Sequence, residues 1–282
     1  MEKEEINEQQ LPNQAPNKTN LSVITGISIS KINDFSTTSN GKEIKGHEFI
    51  HPGDRMPAII ISHEFGNNQL SSARYVADQY NMGYNVYIFD FAGGGLLSTS
   101  DGDSTDMSVL TEENDLNSVI NYVRDLNYTD TNKIILEGNS QGGFVSALIA
   151  AKRPDDISKL ILNYPANMIP DTIRAGDFLG NKIDSKNPPQ SLTMFGIFTL
   201  SRKYFTDAQT ITDAYELIGK YRKPVLMTYG TADNMVPQSS FKNTEQAYSD
   251  IKAVAIKNGT HGYMTDPENL AIAQQVITKF LK

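Results

Sequence analysis

The 282-residue chain contains no cysteine and only four histidines. Without a thiol there is no disulfide framework, no Cys-ligated zinc or iron–sulfur cluster, and no thiolate nucleophile. The histidines, His47, His51, His63 and His261, leave few candidates for imidazole chemistry. Long apolar runs are also missing. Segments such as 58–61 and 133–136 are strand-length, far short of the ~20 residues of a transmembrane helix. No basic stretch followed by an apolar one follows Met1, so no signal peptide is read. Positive charge is scarce: 25 Lys plus Arg stand against 33 Asp plus Glu, a net charge of -8. Such a chain repels a phosphate backbone and an anionic membrane, so no nucleic-acid or membrane-spanning role is expected.

Hydrophobic residues make up 39% and charged residues 21%. That supplies a large core and rules out global disorder. At roughly 150 residues per domain the length suggests about two domains, although α/β folds run to ~250 residues as one. Residues 1–20, MEKEEINEQQLPNQAPNKTN, are polar and rich in Glu, Gln, Asn and Pro. They are expected to form a disordered tail before a folded domain over 21–282. The expected address is cytoplasmic, or extracellular and surface-anchored if the tail once followed a lipoprotein signal.

Within 21–282 the hydrophobic period changes repeatedly. Residues 21–32 alternate (Val23, Ile27, Ile29) and predict a strand. A turn-rich stretch at 37–42 leads to a strand at 44–50. Helical spacing at 70–80, 110–126, 141–152, 239–248 and 269–281 interleaves with strands at 58–61, 84–89, 133–136, 160–162, 224–228 and 251–256. Strands alternating with helices predict an α/β fold with a mostly parallel, doubly wound sheet and an antiparallel start. Between 165 and 223 the rhythm breaks into prolines, glycines and short helical patterns. This reads as an inserted segment over the sheet.

The strand at 133–137 runs into Gly138-Asn139-Ser140-Gln141-Gly142-Gly143 and then a helix. This is the G-x-S-x-G nucleophile elbow in its strand–turn–helix setting. Ser140 must sit on a sharp, strained turn, and Gly138 and Gly142 let helix and strand approach. The helix start behind it offers N–H groups and a positive dipole end to a developing oxyanion. A nucleophilic serine needs a base and an orienting acid, in the chain order Ser, Asp or Glu, His. His261 is the only histidine after Ser140, in a loop directly after a predicted strand. Asp233, at the end of the 225–228 strand, is the acid candidate, since strand-end carboxylates collect at the ligand crevice. Asp213 and Asp250 read as helix residues, and Asp266 as a helix cap. The two oxyanion donors are expected from the N–H of Gln141 and from the loop after the 58–61 strand, at Phe65. His63 is read as a brace of that loop. The run 92–95 (Ala-Gly-Gly-Gly) lacks a phosphate-loop pattern and is read as packing near the site. His47 and His51 are expected at the surface. Met194, Phe195, Phe198, Tyr204 and Phe205 form an apolar group in the insertion that lines a pocket or packs.

Over residues 26–282 the chain resembles the α/β-hydrolase superfamily, and within it bacterial serine esterases of the cinnamoyl/feruloyl esterase type. The similar stretches are SHEFGNN (62–68), YNVYIFDFAGGG (84–95), TSDGDSTDMSVLTEENDL (99–116), GNSQGG (138–143), GTADNMVP (230–237) and GTHGY (259–263). The resemblance implies Ser140, Asp233 and His261 as triad, Phe65 and Gln141 as oxyanion donors, and 165–223 as a small cap shaping the alcohol or aryl pocket. Two departures stand out. The family's His-Gly in the first loop is His63-Glu64 here, which sets a carboxylate beside the oxyanion hole. The family's F-x-G-x-G-x-S loop is Phe91-Ala92-Gly93-Gly94-Gly95. The expected function is hydrolysis of small-molecule carboxylic esters, with aryl or hydroxycinnamoyl esters suggested, without metal or organic cofactor. The alternatives are a serine peptidase or acyltransferase of the same fold and a non-catalytic binding protein. A homodimer is compatible with all three.

Overall fold

A computed structural model describes residues 15–263 and 266–282. In chain order the strands are β1 (Ile32–Ser39), β2 (Lys42–Phe49), β3 (Met56–Ser62), β4 (Asn85–Phe89), β5 (Thr129–Asn139), β6 (Lys159–Asn163), β7 (Asp177–Phe178), β8 (Asn181–Lys182), β9 (Ser191–Met194), β10 (Phe198–Ser201), β11 (Val225–Gly230) and β12 (Ile251–Ile256). The helices are α1 (Lys18–Thr25), α2 (Ala73–Asn81), α3 (Val109–Asp125), α4 (Gln141–Lys152), α5 (Ile169–Arg174), α6 (Arg202–Gln209), α7 (Ala214–Ile218), α8 (Gln238–Ala247) and α9 (Pro267–Leu281).

Eight strands form one sheet in the order β1-β2-β4-β3-β5-β6-β11-β12. β2 pairs antiparallel with β1 and β4, and every later neighbour pair is parallel. Parallel strands covered on both faces need apolar residues at every position. Ile59, Ile60 and Ile61 of β3 accordingly have no exposed surface. Each such side chain contributes on the order of 2 kcal/mol when removed from water. The connections carry α2, α3, α4 and α8, and α9 follows β12, as the interleaved periodicities predict. Asp266 caps α9, accepting from the Glu268 N–H at 2.9 Å.

Four expectations need correction. The strand predicted over 21–32 is helix α1 followed by a short 3-10 turn, Ile29–Lys31. Asn17 caps α1 through its side chain, Gly26 ends it at φ 69°, and Leu21 and Thr25, four residues apart, form its buried face. Of Val23, Ile27 and Ile29, which set the period of two, Val23 and Ile29 are 56% and 49% exposed and only Ile27 is buried. The expected end of the tail at residue 20 falls inside this helix, and its residues 1–14 lie outside the described residues. The turn expected over 37–42 narrows to Asn40-Gly41, because β1 runs to Ser39 and pairs it with Lys42. His47 is buried, not superficial: its Nδ1 lies 2.6 Å from Gln69 Oε1 and its Nε2 3.1 Å from Asp34. His51 is half-buried and stacks on Tyr80 at 3.8 Å.

Segment 165–223 lies between β6 and β11. It contains α5, the β7–β8 hairpin, the β9–β10 hairpin, α6 and α7. Neither hairpin joins the main sheet. Met194, Phe198, Tyr204 and Phe205 are buried, whereas Phe195 is exposed.

Candidate active site

Ser140 occupies the single residue between β5 and α4, at φ 50° and ψ -115°. A non-glycine residue at positive φ is strained and must be held by its surroundings. Here its N–H donates to the Asn163 carbonyl at 2.9 Å, and its carbonyl accepts from the N–H groups of Phe144 and Ala166 at 3.1 and 3.0 Å. The glycines supply the close approach that the turn needs. A Cβ at Gly138 would stand 2.3 Å from the Gly142 carbonyl oxygen, and one at Gly142 2.3 Å from that of His63. These obstacles are backbone and cannot rotate away. Gly142→Ala is therefore expected to lose about 3 kcal/mol or more, a size reserved for core overpacking or backbone strain. Urea denaturation would read it as a lower midpoint or as no soluble protein.

The structure brings the three separated candidates together. Ser140 Oγ lies 3.0 Å from His261 Nε2, and His261 Nδ1 lies 2.8 Å from Asp233 Oδ2. The arrangement suits a Ser140 hydroxyl donating to Nε2 and an Nδ1–H donating to the carboxylate. Asp233 has no exposed side-chain surface. Its other oxygen accepts from the N–H groups of Met235 and Val236, both at 2.9 Å. The Tyr164 ring packs against the imidazole at 4.8 Å and 68°. The competing acids are elsewhere. Asp213 caps α7 rather than lying within a helix, and Asp250 sits just before β12.

Phe65 and Gln141 line one cavity of about 250 Å³ with Ser140 and His261. Gln141 is the first residue of α4, so its N–H has no carbonyl one turn back to satisfy it. The Phe65 loop is braced as its sequence suggested. His63 Nδ1 donates to the Glu64 carbonyl at 2.8 Å, and Nε2 accepts from the Phe91 N–H at 3.1 Å. Burial lowers the His63 pKa, opposed in part by Asp90, and this favours the neutral ring that those bonds require. The glycine run packs on the same loop through Gly66 N–H to the Gly94 carbonyl at 3.1 Å.

Glu64 is not an isolated charge. Its Oε1 accepts from Asn67 Nδ2 at 3.0 Å. Half-buried Arg74 lies within its field. Burial lowers the Arg74 pKa, but Tyr164, Tyr75 and Glu64 around it more than offset this and raise it. The guanidinium donates to the Gly262 carbonyl at 2.9 Å and to the Tyr164 hydroxyl at 2.7 Å, directly beneath the His261 loop. A second clamp holds the Gln141 side chain. Its amide donates to Glu112 Oε2 at 2.8 Å and accepts from the Tyr204 hydroxyl at 2.6 Å. Burial raises the Glu112 carboxyl well above its ordinary range, opposed by that Gln141 bond. Arg74, Glu112 and Tyr204 carry no local signal: Tyr204 and Gln141 are 63 positions apart, and Arg74 and Gly262 are 188.

Below the elbow, Glu137 is fully buried in β5. It accepts from Gln79 Nε2 and, at 2.7 Å, from Asn163 Nδ2. Thr228 and then Tyr263 extend the chain of bonds to the His261 loop, at 2.8 and 2.9 Å. Burial pushes the Glu137 carboxyl up to about 7. With the folded value above the unfolded one, the native state binds the proton more tightly. Stability is full below about pH 4.5 and falls as pH rises through about 7, by up to roughly 3 kcal/mol. Glu137→Gln should flatten the dependence of Tm on pH across that window, which a thermal scan series would read.

Three comparisons bear on this geometry. The family described as "Serine aminopeptidase, S33" matches residues 54–192. "Uncharacterized protein YqkD" of Bacillus subtilis is 26% identical, over 86% of this chain and 76% of that protein. "Putative esterase/lipase 2" of Mycoplasma genitalium is 27% identical, over 71% of this chain and 80% of that protein. Among solved structures, Est1E from Butyrivibrio proteoclasticus with ferulic acid bound superposes with a TM-score of 0.80 at 28% identity. That match covers 88% of this chain and 97% of Est1E. Mouse alpha/beta hydrolase domain-containing protein 10 shares the fold, with a TM-score of 0.70 at 18% identity.

Proposed function

The chain belongs to the α/β-hydrolase superfamily, and on that premise we propose that it is a serine esterase that cleaves carboxylic esters through an acyl-enzyme. The observation that carries the proposal is the Ser140–His261–Asp233 chain of contacts, at 3.0 and 2.8 Å, opening on a largely apolar cavity. Ser140 Oγ attacks the ester carbonyl carbon while His261 Nε2 takes its proton. The carbonyl oxygen becomes an oxyanion facing the N–H groups of Phe65 and Gln141. These donors are worth more in a water-poor cavity than in solution. As the tetrahedral intermediate collapses, the imidazolium returns its proton to the leaving alcohol oxygen. Water then attacks the acyl carbon, giving a proton to His261, and the second collapse releases the acid and restores Ser140. Asp233 fixes the imidazole tautomer and balances its positive charge.

Glu64 works against this scheme. A carboxylate beside an oxyanion opposes it, and the nearby Arg74 charge offsets that opposition. Est1E with ferulic acid bound supports an aryl or hydroxycinnamoyl ester as the substrate class. The second reading, a serine peptidase using the same three residues, is favoured by the description of the matching family. Turnover of methyl ferulate and p-nitrophenyl butyrate beside alanine p-nitroanilide separates the two. Ester turnover with a fluorophosphonate adduct mapped to Ser140 by mass spectrometry is the expected result. Anilide turnover alone would support the peptidase. Ligand binding without product from any substrate would support a binding protein.

A further inference from the structure

Two hairpins in the segment between β6 and β11 share an unusual turn. In the first, Phe178 pairs with Asn181, and the connecting Leu179 and Gly180 have φ 48° and 81°. In the second, the Met194 carbonyl accepts from the Ile197 N–H at 3.1 Å, across Phe195 and Gly196 at φ 52° and 74°. Positive φ at both central residues is the pattern of a type I′ turn, whose first central position favours Asn, Asp or Gly. The chain obeys that preference at Asn40-Gly41 between β1 and β2, with φ 48° and 79°. In the two later hairpins the same position holds a bulky apolar residue, which the left-handed backbone disfavours.

Hairpin formation gives no reason for that choice. Core packing gives none for Phe195, which is 68% exposed, and only a partial one for Leu179, which is half-buried against the core. What Leu179 and Phe195 share is their place: both line the cavity that contains Ser140 and His261. The bases of the hairpins are tied to one side chain. Phe178 and Phe198 meet the Phe65 ring edge to face, at 5.9 and 5.1 Å. Each tip is thereby held over the cavity from the loop that carries a proposed oxyanion donor. Strained residues held in place by surrounding structure concentrate at ligand clamps.

We propose that Leu179 and Phe195 are specificity-determining residues, two apolar side chains on strained turn tips that close on an extended apolar or aryl part of the substrate. The inference rests on the esterase reading and narrows its substrate class to esters carrying such a group. Small esters leave Phe195 in water and the open side of Leu179 uncovered. Esters with an aryl arm remove apolar surface from water on both sides.

Leu179→Asn, Phe195→Asn and the double variant test this, because Asn accepts positive φ. Phe195→Asn should raise Tm by about 2 °C or more through relief of strain, whereas Leu179→Asn also gives up packing against the core. Selectivity is read as kcat/KM for ethyl ferulate over ethyl acetate on the acyl side, and for benzyl acetate over ethyl acetate on the alcohol side. At least one ratio should fall about tenfold in the double variant, the scale of hydrophobic-pocket discrimination. A lower Tm for Phe195→Asn, or both ratios unchanged in the double variant, overturns the proposal. If the unmodified protein hydrolyses none of the three esters, the esterase reading fails instead. Titration calorimetry with ferulic acid then decides the clamp: about tenfold weaker binding by the double variant supports it, on the same scale. Equal binding by both proteins, or none by the unmodified one, overturns it.

Discussion

Ser140→Ala is expected to lower kcat for p-nitrophenyl butyrate by about a millionfold, to the level left by binding and oxyanion stabilisation alone. The substitution removes one oxygen and little else. The contacts that hold the elbow are backbone bonds to Asn163, Phe144 and Ala166, and none involves Oγ. Alanine must still adopt φ 50°, so the strain of the turn is unchanged. Loss of turnover would therefore reflect lost chemistry rather than a lost fold. An unchanged circular dichroism spectrum and Tm, beside absent fluorophosphonate labelling, would establish this. Ester turnover within tenfold of the unmodified protein would sink the role assigned to Ser140.

Asp233→Asn should lower kcat by about ten-thousandfold with little change in KM, because it inverts the imidazole tautomer. Asp233 Oδ1 accepts two backbone N–H groups, from Met235 and Val236. An asparagine here must keep its carbonyl oxygen toward those donors. Its amide then faces His261 Nδ1, which has to become the acceptor. The ring proton moves to Nε2 and points at Ser140 Oγ, so the ring can no longer take the serine proton. The backbone bonds stay intact, so Tm should move little. Steady-state kinetics at pH 7 and 9 would check this. A loss of less than tenfold would show that Asp233 does not set the tautomer.

Much of the candidate site is legible in the linear chain because the proposed chemistry uses scarce residue types at forced positions. With no cysteine and one histidine beyond the elbow, Ser140 and His261 were the surviving candidates. Asp233 was legible through its place at a strand end. Helix α4 was predicted with the bounds it has, since glycines and apolar spacing agree on them. Residues 21–32 mislead because two of the three alternating residues, Val23 and Ile29, face solvent, while the buried pair Leu21 and Thr25 follows helical spacing. His47 misled because its partners, Gln69 and Asp34, come from other segments of the chain.

The α/β class, the elbow motif, the chain order of Ser140, Asp233 and His261, and the break in rhythm over 165–223 are readable from the linear chain alone. Those features depend on local backbone geometry, hydrophobic period and residue type, which are written in neighbouring positions. Only the tertiary structure decided what surrounds the cavity. It set Arg74 within the field of Glu64, joined Tyr204 and Glu112 to the Gln141 side chain, and carried Leu179 and Phe195 to the cavity wall. These contacts link residues tens to hundreds of positions apart. Their energies depend on burial and on shared neighbours, and no local pattern encodes either.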